Sequence, residues 1–363
     1  MFPAFKTIYN SPMLEKEDQY DGPYVFYKND KVFVNYIIRD NDNMLKTVHT
    51  DSLPLAQKKT IQVRVATDEP DNFFLVKLKD QLQNEETEYR RVNKQFILSD
   101  IEGNFGAFRK LLQGNGVIDQ NFNWTFGNGH LVLAGDFFDR GQQVTEVLWL
   151  IYSLEEKAKE AGGYVHFILG NHEIMNLSMD LRYLHPKYVE TDSLLHVSYD
   201  YLYGENSELG RWLRTKNVIE KVGDNLVMHG GISAELNQMD ISVPLINKLA
   251  RPFYADTTYK YPDARLNYIF DDPGPFWYRG YYTGKVRATE MQVDSTLEKF
   301  RVRHIITGHT IVSDTVSAWF GGKVFNTDTH HAEGKSEALL MEGTNYYRTR
   351  PSGEKFLLVN KNR

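Results

Sequence analysis

Five short, largely apolar runs constrain the fold of this chain more than any other feature of the sequence. Each is two to five residues long and is followed within two residues by Gly, Asp or His; they are 96–98, 131–133, 165–169, 226–228 and 305–306. Runs this short and this apolar are typical of strands that are buried on both faces. Apolar residues recur at helical spacing over 144–154, and Gly162-Gly163 is expected to end that helix. Strands that alternate with helices predict an α/β fold.

The first 93 residues carry a different pattern. Short runs of aromatic and β-branched residues are separated by turn-forming residues, which indicates strands rather than helices. The predicted strands are 24–27 and 31–38, which form a hairpin around 28–30, then 61–65 and 73–76. We therefore predict a small β-rich annex over residues 1–93, followed by an α/β domain over residues 94–363.

Composition excludes several classes of site and partner. The 363 residues include no cysteine, so disulfides, thiolate nucleophiles, Fe–S clusters and cysteine-based zinc sites are excluded. The net charge of -6 is spread along the chain, so we expect no nucleic-acid partner. No apolar run approaches the ~18 residues of a membrane span. Residues 1–6 do not resemble a secretory signal. The expected location is therefore the cytoplasm by default, or the periplasm if a leader was removed.

Residues 251–290 are dense in Tyr, Phe, Trp, Pro and Gly. We predict a long structured loop here. Its aromatic side chains have two interpretations: they pack the loop onto the domain, or they line a groove that stacks on a planar group of the substrate.

Polar side chains cluster where the five apolar runs end. The motifs are Asp100-Ile101-Glu102-Gly103-Asn104, Gly135-Asp136-Phe137-Phe138-Asp139-Arg140-Gly141, Gly170-Asn171-His172-Glu173, Met228-His229-Gly230-Gly231 and Thr307-Gly308-His309-Thr310. Ligands of open α/β sheets bind beyond the carboxyl ends of the strands, so these five ends are expected to meet in one site. Carboxylates, an Asn and His side chains together form a ligand set for divalent metals.

These motifs resemble those of the calcineurin-like metallophosphoesterases, which hold two metal ions. The similar segments are 135–141, 170–173 and 228–231, and Arg140 points to the phosphoprotein phosphatase branch. Longer stretches resemble the Shewanella-like phosphatases, namely 171–176 leading to 180–183, then 212–214 and 275–280. The resemblance covers roughly residues 95–330. It implies a four-layer α/β/β/α sandwich, with the small N-terminal β-rich annex outside it.

The resemblance also implies a set of metal ligands. Asp136 resembles the carboxylate that bridges the two metals, and Asp100 would bind the first metal. The second metal would be completed by Asn171, His229 and His309. The nucleophile would be a hydroxide bridging the two cations, which lower the pKa of bound water.

Other residues would act on the substrate. Four are candidates for binding it: Arg140, Arg279, Arg182 and Tyr278. Arg140 and Arg279 would bind the phosphate oxygens, because a guanidinium can bind phosphate bidentately. His172 would be the general acid that protonates the leaving oxygen, and Asp139 would orient it and favour its protonated form.

Glu102 stands where the first motif of the family has His. If Glu102 binds the first metal, that metal has an all-oxygen protein shell, which favours Mn²⁺, with Fe, Zn or Mg as alternatives. If Glu102 turns away, the first site is weak. We favour ligation. The additional negative charge predicts a lower rate than in relatives with His.

The sequence thus predicts a metal-dependent phosphatase that hydrolyses phosphate monoesters. The expected substrate is a phosphorylated peptide, with phosphotyrosine favoured, or a small phosphoester. One alternative is a hydrolase of dinucleoside polyphosphates, which cleaves a phosphoanhydride. A non-catalytic binding protein is a third hypothesis, and Glu102 is its only support.

Overall fold

The computed structural model describes residues 6–7, 17–40, 44–90 and 92–360. Its strands are β1 (Lys6–Thr7), β2 (Glu17–Lys28), β3 (Lys31–Asp40), β4 (Lys46–Pro54), β5 (Ile61–Ala66), β6 (Phe73–Lys77), β7 (Glu88–Tyr89), β8 (Lys94–Leu98), β9 (His130–Ala134), β10 (Tyr164–Ile168), β11 (Ile219–Val222), β12 (Asn225–Met228), β13 (His304–Thr307), β14 (Ser317–Trp319), β15 (Val324–Asn326), β16 (Ala338–Glu342), β17 (Asn345–Thr349) and β18 (Lys355–Asn360). Its α-helices are α1 (Phe105–Gly114), α2 (Val144–Glu160), α3 (Asn171–Leu177), α4 (Pro186–Leu195), α5 (Tyr199–Leu202), α6 (Glu208–Leu213), α7 (Ala234–Gln238), α8 (Val243–Ala250), α9 (Ala264–Phe270) and α10 (Glu290–Phe300). Within the described ranges, no helix has the length and apolar character of a membrane span.

Two six-stranded sheets form the centre of the molecule. The first has the order β10-β9-β8-β16-β17-β18 and the second the order β14-β15-β13-β12-β11-β7. An apolar cluster lies between them and joins Ile97 and Val132 of the first sheet to Val227, Ile306 and Phe325 of the second. Helices cover the outer faces, where α2 contacts β10 and α8 contacts β11. The result is the expected four-layer α/β/β/α sandwich.

The predicted elements are largely confirmed. The five apolar runs form β8, β9, β10, β12 and β13, and the predicted helix is α2. The N-terminal hairpin pairs β2 with β3 in antiparallel register. Asn29 and Asp30 connect them with φ values of 50° and 56°. Both values are positive, as a two-residue turn that matches the strand twist requires.

The N-terminal strands lie against α2 and share its apolar core. Trp149 of α2 donates Nε1–H to the carbonyl of Pro23 at 2.8 Å, and the hydroxyls of Tyr24 and Thr145 are 3.1 Å apart. Strand β7 also precedes residue 93 and pairs with β11 in the second sheet. The division of the chain at residue 93 stays a prediction, and described residues on both sides of it belong to one apolar cluster.

The prediction of one continuous loop over 251–290 is wrong in part, because this segment contains α9. The helix begins after Asp263, whose Oδ1 accepts the backbone N–H of Arg265 at 2.9 Å. Leu266, Ile269 and Phe270 are buried and form its apolar face. An N-cap followed by i, i+3, i+4 apolar spacing is a helix signal that the density of aromatic residues had obscured.

Candidate metal centre and active site

The five polar motifs meet at the carboxyl ends of the central strands. Asp100 and Glu102 follow β8, and Asp136 follows β9. His172 is the second residue of α3, which follows β10; His229 follows β12, and His309 follows β13. All of these side chains except that of His229 line one cavity, and His229 is grouped with Asp136 and His309. The expectation that these strand ends converge on one site therefore agrees with the placement of the side chains.

The backbone at this site is strained. Six residues other than glycine have φ between 47° and 69°: Asp100, Glu102, Asp136, Asp139, Arg140 and His309. This left-handed region costs on the order of 1 kcal/mol or more for a residue other than glycine, and it occurs in turns as well as at functional sites. The turns after β8, β9 and β13 therefore hold a backbone conformation of higher energy, and this conformation directs their side chains into the cavity.

Two glycines permit close approach of the carboxylates. A Cβ atom at Gly170 would overlap Oδ1 of Asp136, and one at Gly308 would overlap Oδ2 of Asp100. Because Gly170 leaves this space free, Asp136 Oδ1 accepts the backbone N–H of His172 at 2.9 Å. The glycine positions therefore set how closely the strand ends converge.

Asp136, His229 and His309 form the first group of candidate metal ligands. His229 Nε2 lies 2.9 Å from Asp136 Oδ2 and 3.1 Å from His309 Nδ1. The other nitrogen of each ring is bound to a backbone carbonyl, that of Ala134 for His229 at 2.8 Å and that of Trp277 for His309 at 3.1 Å. Those carbonyls can only accept, so they favour the tautomers that leave a lone pair on the nitrogens facing Asp136.

The resemblance assigns Asn171 to the same metal, and this residue follows Gly170, which packs against Asp136. The side-chain oxygen of Asn171 is buried and has no hydrogen-bond partner in the described part of the chain. Leaving a buried amide oxygen unsatisfied is costly, on the order of 1–3 kcal/mol. Imidazole nitrogens, a carboxylate and an amide oxygen together suit a divalent first-row metal.

Asp136 also belongs to a second group of candidate ligands, with Glu102 and His172. Asp100 lies beside it and accepts the backbone N–H of His309 at 3.1 Å. Burial, together with the charge of Asp328, raises the pKa of Asp100 well above its usual value. Crowding buried carboxylates without a cation is unfavourable, so this side of the cavity also fits a metal ion.

His172 and Asp139 form a buried pair. Nδ1 of His172 is 2.6 Å from Oδ2 of Asp139, and its Nε2 is 3.7 Å from Oδ2 of Asp136. Burial alone would lower the pKa of His172, but the charge of Asp136 and the hydrogen bond to Asp139 outweigh it and raise the pKa to about 9. In this arrangement the imidazole is held as a proton donor.

Two arginines line the same cavity. The guanidinium of Arg140 forms an ion pair with Glu102 and remains half exposed. Arg279 donates to the carbonyl of His309 and to the hydroxyl of Thr310, the latter at 3.3 Å. Each guanidinium has further N–H donors that could bind an anion entering the cavity.

The structure does not bring Arg182 and Tyr278 to this cavity. Arg182 is exposed and donates to the two carboxylate oxygens of Asp180 at 2.8 and 2.7 Å, in a neighbouring groove. The hydroxyl of Tyr278 accepts a hydrogen bond from Gln292 at 2.8 Å, and its ring contacts Tyr281 edge-on. Their assignment to substrate binding therefore stays a prediction, and neither side chain lies where the phosphate would bind.

Sequence reasoning missed two residues at the site. Asp328 follows β15 and lines the cavity, but it belongs to none of the five polar motifs that marked the site in the sequence. Glu173 is fully buried and accepts backbone N–H groups of Asp136, Phe137 and Gly170 at 2.9, 2.7 and 2.6 Å. A carboxylate in the first turn of a helix after a Gly-Asn turn was the available signal for Glu173.

Comparison with known proteins places this geometry in a family. A model of the calcineurin-like phosphoesterase family matches residues 94–313. The cold-active protein-tyrosine phosphatase of a psychrophilic Shewanella species has a crystal structure similar to this one, with a TM-score of 0.83 and 37% identity. The match covers 93% of this chain and 99% of that chain.

Two curated relatives are similar over shorter stretches. Shewanella-like protein phosphatase 1 of Plasmodium berghei is 27% identical over 60% of this chain and 61% of its own length. The symmetrical bis(5'-nucleosyl)-tetraphosphatase of Legionella pneumophila is 30% identical over 46% of this chain and 54% of its own. The chain therefore belongs to the calcineurin-like phosphoesterase family and is a metal-dependent hydrolase of phosphate esters.

Proposed function

We propose that this enzyme removes phosphate from phosphotyrosine in proteins or peptides. The observation that carries the proposal is the 37% identity with a protein-tyrosine phosphatase, which extends over 93% of this chain and 99% of the other. A match of this extent is longer than the α/β domain over 94–363, so it reaches into the N-terminal region. Because all the candidate ligands are present, an active enzyme is favoured over a non-catalytic binding protein.

The proposed metal centre holds two divalent ions that share Asp136. Asp100 and Glu102 would complete the first site, and Asn171, His229 and His309 the second. The first site has oxygen ligands alone, which favours Mn²⁺. When bound, the two ions would supply the positive charge that lowers the pKa of water and neutralises phosphate oxygens.

The roles of the other cavity residues follow from their positions. Arg140 and Arg279 would bind phosphate oxygens, which requires Arg140 to release Glu102. His172 would donate its Nε2 proton to the leaving tyrosine oxygen, since Nδ1 is bound to Asp139. Asp139 orients the imidazole and compensates its charge.

The test is a substrate panel with the Mn²⁺-loaded enzyme. Phosphotyrosine peptides should be hydrolysed faster than the same peptides with phosphoserine or phosphothreonine. Asp136→Asn should lose bound metal and activity together. Its loss of metal affinity should exceed the roughly 10- to 100-fold loss expected when a residue that only contacts a metal ligand is replaced. Rapid hydrolysis of phosphoserine peptides with little activity on phosphotyrosine would contradict the proposal.

A second candidate activity is hydrolysis of dinucleoside polyphosphates. It is favoured by the 30% identity with a bis(5'-nucleosyl)-tetraphosphatase, although that match covers only 46% of this chain. Including diadenosine tetraphosphate in the panel separates the two activities. A higher kcat/KM for this compound than for every phosphopeptide would favour the alternative.

A further inference from the structure

A second groove lies beside the catalytic cavity, and the proposed roles leave it unused. Its walls come from α3, the turn after it, and the 251–290 segment. Trp277 lies between the two spaces: it lines the groove, and its indole centroid is 5.7 Å from that of His309 in the cavity. A peptide with its phosphate in the cavity could therefore continue into this groove.

The walls of the groove are largely apolar and aromatic. Met175, Tyr261, Phe270 and Trp277 line it, and the rings of Tyr261 and Phe270 stack with centroids 4.9 Å apart. The hydroxyls of Ser178, the residue after α3, and of Tyr259 in the aromatic segment are 3.1 Å apart. Such walls suit the aliphatic stem of a long side chain or a cation over an aromatic face.

The charge of the groove is negative. Among the described residues that line it, Arg182 is the one cation, and its ion pair with Asp180 neutralises it. Asp271 and Asp272 are exposed, and within the described residues neither carboxylate has an ion-pair or hydrogen-bond partner. Two uncompensated carboxylates therefore lie beside aromatic walls, which complements a basic side chain and opposes an acidic one.

We propose that this groove binds a Lys or Arg side chain next to the phosphotyrosine of a peptide substrate, with Asp271 and Asp272 as the residues that select it. This inference rests on the proposed phosphotyrosine phosphatase function. It makes the preferred substrate a basic phosphotyrosine peptide, because the rest of the peptide passes Trp277 and enters the groove.

The first test compares two phosphotyrosine peptides that differ in charge on both sides of the phosphotyrosine, one with Lys and one with Glu. The Mn²⁺-loaded wild-type enzyme should show a higher kcat/KM for the Lys peptide, roughly five-fold or more for two exposed charges. The preference should fall as salt is added, because exposed charges are screened. Equal kcat/KM values for the two peptides would overturn the proposal.

The second test uses the double variant Asp271→Asn/Asp272→Asn. It should lose most of the preference for the Lys peptide while keeping the wild-type rate on p-nitrophenyl phosphate, which is too small to reach the groove. The matched control is Glu156→Gln/Glu160→Gln, which removes two exposed charges of α2 outside the groove. An equal loss in both double variants would mean that net charge, not the groove, sets the preference.

The two proposals fail in different ways. If p-nitrophenyl phosphate is hydrolysed but no phosphotyrosine peptide is, the proposed function is wrong and the groove proposal falls with it. If both peptides are hydrolysed at the same rate, the phosphotyrosine phosphatase function stands and the groove proposal alone is wrong. Because the first test uses the wild-type enzyme, it does not depend on the folding of any variant.

Discussion

His172 is held by one carboxylate and directed toward another. Its Nδ1 binds Asp139, so Nε2 is the nitrogen left to face the cavity and Asp136. His172→Asn should keep the bound metal and lower the rate on phenyl phosphate by about 10²- to 10⁴-fold. A substrate with a good leaving group needs no proton, so 2,4-dinitrophenyl phosphate should lose much less.

The measurement is the dependence of kcat on leaving-group pKa, together with metal analysis of the variant. The dependence should become steeper in His172→Asn than in the wild-type enzyme. Equal losses for good and poor leaving groups would count against His172 as the acid.

Glu102 competes with the substrate for Arg140. In the structure its carboxylate is paired with this guanidinium at the cavity. Glu102→His should raise kcat/KM for p-nitrophenyl phosphate roughly five-fold. Removing one like charge at ~4 Å in water is worth about 1 kcal/mol, and Arg140 is released as well.

The control for this charge change is Glu333→Gln, which removes another carboxylate that lines the cavity. It should leave the rate near that of the wild-type enzyme, because the Glu333 carboxylate is exposed and screened by solvent and the ion pair of Arg140 is with Glu102. If Glu102→His leaves both the metal content and the rate unchanged, Glu102 has no part in the mechanism.

At the scale of elements, the turns after strands carry the site, and α3 stabilises one of them. Glu173 in the first turn of α3 binds the backbone of the turn that follows β9. Glu173→Gln would turn an amide donor toward these N–H groups. We expect a loss of about 1–3 kcal/mol in the free energy of unfolding.

Glu173 is a positioning residue, so its effect should also reach the metal centre. Metal affinity should fall roughly 10- to 100-fold, as measured by titration of the metal-free variant. Glu160→Gln, at the exposed end of α2, is the control and should change neither quantity. A Glu173→Gln variant with reduced stability and normal metal affinity would show a structural role alone.

At the scale of the whole molecule, a buried ion network joins three separate parts of the chain. Glu155 of α2 contacts Lys79, which follows β6, and accepts from Lys216, which precedes β11, at 2.6 Å. Trp212 of α6 donates to the same carboxylate at 3.0 Å. Burial would raise the pKa of Glu155, but the two ammonium groups outweigh it and lower the pKa to about 2.

This network should make stability depend on pH. Because the folded pKa lies below the unfolded value of about 4.3, the contribution is fully present above that value. It is lost as the pH falls toward 2.

Urea unfolding of Glu155→Gln between pH 3 and pH 7 tests this pH dependence, since the variant leaves two buried ammonium groups without their carboxylate. At pH 7 its free energy of unfolding should be about 3–5 kcal/mol lower. If the free energy of unfolding of the variant depends on pH as that of the wild-type enzyme does, Glu155 is not the source of the pH dependence.

Much of the fold and of the site was predictable because the signals are local. An apolar run, the polar residues after it and the helix spacing that follows lie within a short window, as in β9, its turn and α2. The ends of parallel strands share an edge, so the order of the motifs was enough to expect one cavity.

Three features were not predictable, because each depends on contacts between distant parts of the chain. Asp328 joins the cavity through β15, which is placed by its pairing with β13. The tautomers of His229 and His309 depend on carbonyls 95 and 32 residues away. Arg182 and Tyr278 are in the chain segments that the resemblance marks, yet local partners hold them outside the cavity.

Local sequence was enough to predict most of the strands that carry the site, the polar residues that follow them and the chemistry that those residues can perform. Tertiary structure decided which nitrogens and oxygens face each other, which arginine is paired with Glu102, and that a negatively charged aromatic groove lies beside the cavity. The physical reason is the distance along the chain between the residues that interact. Secondary structure follows from neighbouring residues, whereas the coordination of a side chain follows from the stacking of two sheets whose strands come from across the whole chain.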